Sequence, residues 1–221
     1  NMEINNHKQL IQKIKKENLD YYVEMILPLP CETLDSWKSG YWHMYENGIH
    51  DSVSVHLLVL SVNSPMNKFQ AEKYRLKTFD LPMEQDEPGL LETQPTVIQT
   101  DSMNFDDFVE CLHFGHKQTL LHGVGFSKRA SMICKEHNIA YYIFYDQLDE
   151  TLNLSKAWTR FEQECRSQIK HMFQKDNSIN DKDIEKFYLF NGMKLRRIIF
   201  DAVLKTLEHF EIKNSKQITI E

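Results

Sequence analysis

The segment from His122 to Ser127 combines the residue types in this chain that best suit ligand binding. It reads His-Gly-Val-Gly-Phe-Ser and lies between a short apolar run and a stretch with helical periodicity. Gly123 and Gly125 would let the backbone approach a ligand closely, and the helix that follows would offer unpaired N–H groups to an anion. Ser127 would add a hydroxyl donor. We therefore predict Gly123, Gly125 and Ser127 as ligand-binding residues.

The glycine spacing excludes two common nucleotide-binding motifs. The third glycine of Gly-x-Gly-x-x-Gly would fall at Lys128, and no Gly-Lys-Ser/Thr ending is present for a Walker A loop. A tight turn between strand and helix, with no ligand, remains the alternative interpretation of the segment.

Polar side chains follow each of three predicted strands. Thr100, Asp101 and Ser102 follow the first, His122 ends the second, and Asp146 ends the third. The carboxyl ends of parallel strands meet at one edge of a sheet, where ligands bind. We predict Asp101, His122 and Asp146 as catalytic residues and Ser102 as a further ligand-binding residue. The two carboxylates could hold Mg²⁺, although the same residues are also ordinary helix caps and turn formers.

Two other groups of residues give weaker predictions of a functional site. Cys111, His113, His116 and His122 lie within twelve positions and are ligand types that zinc accepts. Residues two apart point to nearly opposite sides of a helix, and only His113 and His116 would share a face, so we predict no metal site among them. Cys31 follows Pro-Leu-Pro and could act as a nucleophile with a histidine, but nothing in the sequence fixes that geometry.

The run Leu120 to Gly123 resembles the oxyanion-loop strand of α/β-hydrolases over about ten residues, which would imply a hydrolase-like site. The chain lacks the Gly-x-Ser-x-Gly nucleophile elbow of those enzymes. Val109-Glu110-Cys111 is similar to the carboxylate strand of endonuclease-like folds, but Leu112 stands where their lysine belongs.

The predicted elements that position these residues alternate strand and helix. Apolar, β-prone runs at 96–100, 119–122 and 139–145 are separated by two short helices, and 53–62 adds an earlier strand. Right-handed crossovers would place helices on both faces of the sheet. The predicted fold class is therefore α/β, with a mostly parallel, Rossmann-like, three-layer sheet.

The flanking segments are predicted as follows. An N-terminal helix runs from Leu10 to Met25, and Asn47-Gly48 indicates a hairpin. Ser64-Pro65 begins a helix toward Lys77, and a solvated acidic loop covers 80–95. The domain division is 2–150 for the α/β domain and 151–221 for C-terminal helices packed on it.

Composition limits the partners of this 221-residue chain. Residues 1–150 carry 13 basic and 22 acidic side chains, whereas residues 151–221 carry 13 and 10. An acidic body argues against nucleic-acid binding, which depends on neutralising phosphates. Four scattered cysteines and the absence of a long apolar run predict a cytoplasmic protein without a membrane span.

Two functions from different classes fit these observations. The first is an enzyme acting on a small anionic substrate, such as a phosphate or nucleotide, at the strand ends. The second is a non-enzymatic bacterial interaction protein (accessory, immunity or effector-type) that uses the acidic loop or an exposed apolar patch on a C-terminal helix to bind a protein partner. The sequence alone does not decide whether the chain is an enzyme.

Overall fold

The structure is a computed structural model, and it describes residues 9–11, 13–14, 16–19, 21–50, 53–82, 93–174 and 181–212. Within those ranges, no helix is both long enough and apolar enough to cross a lipid bilayer.

Helices form most of the described chain. In chain order they are α1 (Leu34–Glu46), α2 (Phe105–Gln118), α3 (Lys128–Glu136), α4 (Tyr141–Asn153), α5 (Lys156–Met172), α6 (Asp181–Lys194) and α7 (Arg196–His209). Their apolar residues recur every three or four positions and meet in one core that includes Phe108, Leu112, Phe144, Leu148 and Trp158. The two predicted C-terminal helical stretches are confirmed, with a break between α6 and α7 at Leu195.

Four short strands form two small sheets. β1 (Val23–Leu27) pairs in parallel with β2 (Val53–Leu57), and β3 (Lys77–Pro82) pairs antiparallel with β4 (Thr93–Gln99). Backbone hydrogen bonds from residues 58–60 reach both Leu27 and β4, so this segment links the two sheets.

The predicted three-layer Rossmann-like sheet is wrong. Residues 141–145 of the third run form the start of α4, and 119–122 lie in a π-helical turn (Thr119–Gly123) that continues α2. Two predicted strands are confirmed in part: 96–100 lies mostly within β4, whose partner is antiparallel, and the first half of 53–62 forms β2, whose partner is parallel. With no such sheet, neither the Rossmann-like nor the hydrolase-like interpretation is supported.

Burial explains the two errors. Tyr141, Phe144, Tyr145, Leu148 and Leu152 are all buried and follow a helical spacing that extends beyond the β-prone run. A short apolar run does not by itself distinguish a strand covered on both faces from a buried helix, because in both cases nearly every position of the run is apolar.

Asn47-Gly48 forms a helix end, and the predicted hairpin is wrong. The N–H of Gly48 bonds to the carbonyl of Tyr45, and that of Ile49 bonds to Met44. These two bonds define a Schellman motif, in which Gly48 takes the positive φ that such a helix end requires. The same residue chemistry serves hairpin turns, which is why the sequence signal was ambiguous.

Two other predicted helices are correct only at their starts. Residues 9–11, 13, 14 and 16 are helical, but the predicted continuation to Met25 is replaced by β1. The hydroxyl of Ser64 caps the N–H of Asn67 as predicted, yet the helical turn ends after Gln70. Most of the predicted acidic loop, at 83–92, lies outside the described residues, as does the connection at 175–180.

Gly115 lies inside α2 where the helix closely approaches β2 and α1. A Cβ at this position would lie 2.5 Å from a methyl of Val55 and 3.1 Å from the Trp37 ring. The helix begins at an Asn104 cap, not at the predicted Asp101 or Ser102.

Candidate ligand-binding site

A cavity of about 270 Å³ lies between α1, the segment that follows it, the π-helical turn and α6. We call it the histidine–tyrosine cavity. Its described lining consists of Tyr41, Tyr45, His50, Val53, Gln118, Thr119, His122, Gly123, Val124 and Leu189. Ligand pockets for drug-sized molecules start at about 300 Å³, so this cavity suits a small molecule or one end of a larger one.

A chain of hydrogen bonds runs from this cavity into the core. Nδ1 of His50 lies 3.2 Å from Nε2 of His122, and Nδ1 of His122 lies 2.6 Å from the hydroxyl of Tyr145. That hydroxyl is 3.0 Å from Oγ of Ser127, which lies 2.9 Å from the carbonyl oxygen of Leu121. His122, Tyr145 and Ser127 are buried, so these bonds are shielded from water.

The serine bonds to backbone carbonyls fix the direction of the others. A backbone carbonyl only accepts, so Ser127 donates its hydroxyl proton to Leu121. Ser131 likewise donates to the carbonyl of Lys128, so the single hydroxyl proton of Tyr145 goes to one of its two serine partners, Ser127 or Ser131, and Tyr145 accepts the N–H at Nδ1 of His122. A neutral His122 protonated there is an acceptor at Nε2, so His50 donates to it from Nδ1. The chain thus holds both imidazole rings in defined tautomers.

Aromatic packing holds the same histidines in place. The ring of Tyr45 stacks on His122, with centroids 4.0 Å apart and planes inclined by 13°. The Tyr45 hydroxyl lies 3.3 Å from the side-chain oxygen of Gln118, and the Tyr141 hydroxyl lies 3.4 Å from Nε2 of His50. The cavity therefore presents imidazole, phenol and amide groups with fixed orientations.

The tyrosines act as neutral donors. Burial raises the pKa of Tyr45 well above its ordinary value, and the neighbouring Tyr145 adds to the effect. Burial likewise raises the pKa of Tyr145, although its hydrogen bond with Ser127 partly offsets this. Burial also raises the pKa of Tyr141 to about 12, helped by Glu46. At neutral pH these three phenols remain protonated.

A second cavity, of about 220 Å³, lies between α1, α2, α4 and α5. We call it the charged cleft. Its described lining consists of Lys38, Trp42, Glu110, His113, Phe114, Lys117, Asp146, Asp149, Asn153, Glu162 and Arg166.

Ion pairs line this cleft; that of Lys117 with Glu162 is buried, and that of Arg166 with Glu110 is partly exposed. Nζ of Lys117 lies 2.6 Å from Asp149 and 3.2 Å from Glu162, and the guanidinium of Arg166 lies 2.6 Å from Glu110. Burial opposes the charge on Lys117, but the two carboxylates raise its pKa above the ordinary value. Burial would raise the pKa of Glu162, but the hydrogen bond with His113 and the charge of Lys117 hold it far below its usual value. Lys117 and Glu162 therefore both remain charged at neutral pH.

Three of the predicted site residues lie at or next to the histidine–tyrosine cavity. His122 and Gly123 line it, and Ser127 lies two hydrogen bonds behind His122, through Tyr145. Gly125 is exposed with a φ of 104° and is not among the described lining residues.

The other predicted residues are not brought together. Asp146 lines the charged cleft, whereas Asp101 is exposed in the turn after β4. The hydroxyl of Ser102 donates to the carbonyl of Glu32, 2.8 Å away. The structure thus does not support the geometry in which Asp101 and Asp146 would share a Mg²⁺ ion, and catalytic roles for Asp101, His122 and Asp146 stay predictions.

Sequence reasoning missed His50, Tyr45 and Tyr145. His50 and His122 are 72 residues apart, and no local pattern joins them. A helical reading of 141–145 would have placed Tyr141 and Tyr145 on one face, because residues four apart are neighbours on a helix. That spacing was the available signal.

The alternative prediction is an exposed apolar patch on a C-terminal helix, and two exposed apolar side chains lie on α6. Phe190 and Met193 lie about one turn apart on α6 and are 67% and 44% exposed. A role in binding a protein partner stays a prediction.

Comparison with known proteins relates the chain to methyltransferases. It is 31% identical over 158 residues, 68% of its length, to 2-(S-pantetheinyl)-carbapenam-3-carboxylate methyltransferase from Streptantibioticus cattleyicolor. Over 156 residues, again 68% of its length, it is 32% identical to the cobalamin-dependent radical SAM methyltransferase TokK from Streptomyces tokunonensis. No family model matches the chain. Because the matches cover 23% of each relative, the chain spans about a quarter of the length of the curated relatives it matches.

The described residues do not fit the iron–sulfur cluster that radical SAM chemistry implies. Such clusters are held by cysteine thiolates. Cys111, Cys134 and Cys165 are buried, and burial raises the pKa of each thiol to about 12, whereas Cys31 is exposed. Within the described ranges, no group of three or more His, Cys, Asp or Glu side chains is arranged to hold a metal ion.

Proposed function

We propose that this chain is the substrate-binding part of a methyltransferase, and that the histidine–tyrosine cavity holds part of a small methyl acceptor. The observation that carries this proposal is the oriented hydrogen-bond chain that ends at the cavity wall, in a chain similar to two methyltransferases. Functional sites depend on groups held in fixed positions by such supporting contacts.

The chemistry of the cavity favours a neutral or singly charged polar ligand. His50 and His122 supply imidazole groups whose ring nitrogens are held by His122, Tyr141 and Tyr145, and a protonated His50 would add a positive charge at the cavity wall that suits a carboxylate. Among its described lining residues there is no lysine or arginine, which phosphate groups usually require. We therefore favour a small carboxylate or carbonyl compound over the phosphate or nucleotide expected from the sequence.

Calorimetric titration of the full chain with 2-(S-pantetheinyl)-carbapenam-3-carboxylate tests this proposal. The compound is the one named for a curated relative and combines a carboxylate with a flexible arm. We expect saturable binding with one site, and we expect His50→Ala to weaken it at least tenfold by removing the polar group at the cavity wall.

A matched pair of tryptophan substitutions locates the site. Val124 lines the cavity and is 46% exposed, whereas Val62 is 75% exposed and is not among the described lining residues. We expect Val124→Trp to block binding and Val62→Trp to leave it unchanged. Equal affinities for the two variants, or no binding to the wild-type chain, would contradict the proposal.

A further inference from the structure

The charged cleft has an excess of negative charge among its described residues. It is lined by three permanent cations and four carboxylates: Lys38, Lys117, Arg166, Glu110, Asp146, Asp149 and Glu162. His113 adds no positive charge, because burial lowers the pKa of its imidazole. Adding one cation would balance the cleft.

The carboxylate of the cleft that lacks an ion pair among the described residues is Asp146, whose side chain is exposed and whose pKa is raised by desolvation and by the neighbouring Asp149. Lys117 pairs with Asp149 and Glu162, and Arg166 pairs with Glu110. Asp146 makes no hydrogen bond or ion pair within the described part of the chain, although it lines the same cleft.

The wall of the cleft is aromatic. The rings of Trp42 and Phe114 meet edge to face, with centroids 5.4 Å apart and planes at 90°. One face of Trp42 is stacked on Tyr145, at 5.4 Å and 19°. Aromatic faces attract ammonium groups more strongly than they attract neutral groups of the same shape.

The protein already places one ammonium group against this wall. Nζ of Lys38 lies 5.5 Å from the centroid of the Phe114 ring, and Lys38 makes no ion pair among the described residues. Its side chain is only half-buried, so it can leave the ring when another cation arrives.

We infer that the charged cleft binds a small organic ammonium ion, with Asp146 as its counter-ion and Trp42 and Phe114 as its aromatic wall. The ligand would take over the position that the Lys38 ammonium occupies in part. This site is separate from the histidine–tyrosine cavity, and its test does not depend on methyltransferase activity.

Titration of the full chain with choline and with its neutral isostere 3,3-dimethyl-1-butanol tests the inference. The two probes have the same shape and differ in the charged nitrogen. We expect choline to shift the indole N–H signal of Trp42 in NMR spectra and to saturate, and we expect the alcohol to bind at least tenfold more weakly. Equal binding of both probes, or binding of neither, would overturn the inference.

Charge variants with matched controls identify the partners. We expect Asp146→Asn to weaken choline binding at least fivefold, whereas Asp106→Asn changes the net charge equally at an exposed position paired with Lys170. We expect Lys38→Met to tighten binding because it removes the competing ammonium. Lys194→Met is its control, since Lys194 also lies over an aromatic ring, that of Phe190, outside the cleft. Equal effects of the two Asp variants, or weaker binding in Lys38→Met, would overturn the inference.

Discussion

His122 is held at both ring nitrogens and on one ring face. His50 forms a hydrogen bond with Nε2 and Tyr145 forms one with Nδ1, and the ring of Tyr45 stacks on one face of the imidazole. A histidine fixed in this way keeps one tautomer and one orientation, so its chemistry at the cavity wall is set before any ligand arrives. The supporting Tyr145 is as important to the proposed site as the histidines themselves.

Removing the Tyr145 hydroxyl tests this support. Tyr145→Phe leaves Ser127 or Ser131 without its donor and His122 without its acceptor, so we expect a loss of about 1–3 kcal/mol in unfolding free energy. Tyr142→Phe is the control, because Tyr142 is 49% exposed and should change stability by less than about 0.5 kcal/mol. Urea unfolding measures both, and similar values for the two variants would contradict the role given to Tyr145.

The sequence predicted part of this residue-scale picture. His122, Gly123 and Ser127 were identified because glycine and histidine next to a helix start suggest a ligand site. His50 and Tyr145 were not identified, because the contacts that matter join residues 72 and 23 positions apart. Asp101 was placed in the site by an assumed sheet edge that the chain does not form.

At the scale of elements, ion pairs made by the buried Lys117 connect α2 to α4 and to α5. Lys117 of α2 reaches Asp149 of α4 and Glu162 of α5. Lys117→Met would leave Asp149 without its cation and Glu162 with only Arg166, 3.5 Å away, so we expect a loss of about 3–5 kcal/mol in unfolding free energy. Lys170→Met breaks an exposed pair with Asp106 and should cost less than about 1 kcal/mol. Comparable losses in urea unfolding would show that burial does not matter here.

The same network predicts how stability depends on pH. The pKa of Glu162 is lower in the folded chain than its usual 4.5, so ionised Glu162 favours folding. That stability is fully present above about pH 4.5 and is lost as the pH falls toward the folded pKa. We expect Glu162→Gln to flatten the fall in melting temperature between pH 5 and pH 3. An unchanged acid dependence would contradict this assignment.

Two glycines differ in the space that their surroundings leave for a side chain. A Cβ at Gly115 would overlap Val55, so we expect Gly115→Ala to lose about 1–3 kcal/mol in unfolding free energy. A Cβ at Gly123 would meet only Thr119, at 3.8 Å, so we expect Gly123→Ala to gain about 0.4–1 kcal/mol. Thermal unfolding of both variants checks the prediction, which fails if both changes stabilise the chain.

The helices were partly predictable from periodicity, whereas the sheet was not. Helical spacing in α5 and α7 identified them correctly. The runs at 119–122 and 139–145 were read as strands because β-branched and aromatic residues are enriched in both strands and buried helices. Their true state depends on burial on all sides, which only the assembled fold reveals.

At the scale of the whole molecule, the stacked rings of Trp42 and Tyr145 connect the histidine–tyrosine cavity to the charged cleft. Tyr145 supports the histidine–tyrosine cavity, and Trp42, stacked on it, lines the charged cleft. The chain spans about a quarter of the length of the two methyltransferases to which it is similar, so we propose for it a part in substrate binding and not their complete activity. Substrate recognition by the histidine–tyrosine cavity is the central claim.

Methyl NMR with 2-(S-pantetheinyl)-carbapenam-3-carboxylate tests that claim most directly. Val53, Val124 and Leu189 line the histidine–tyrosine cavity, whereas Ile198 lines a different cavity and Val203 is buried in the core. We predict saturable shifts of the Val53, Val124 and Leu189 methyl signals, with Ile198 and Val203 unchanged. Shifts centred on Ile198, or no shifts at the three cavity residues, would contradict the proposal.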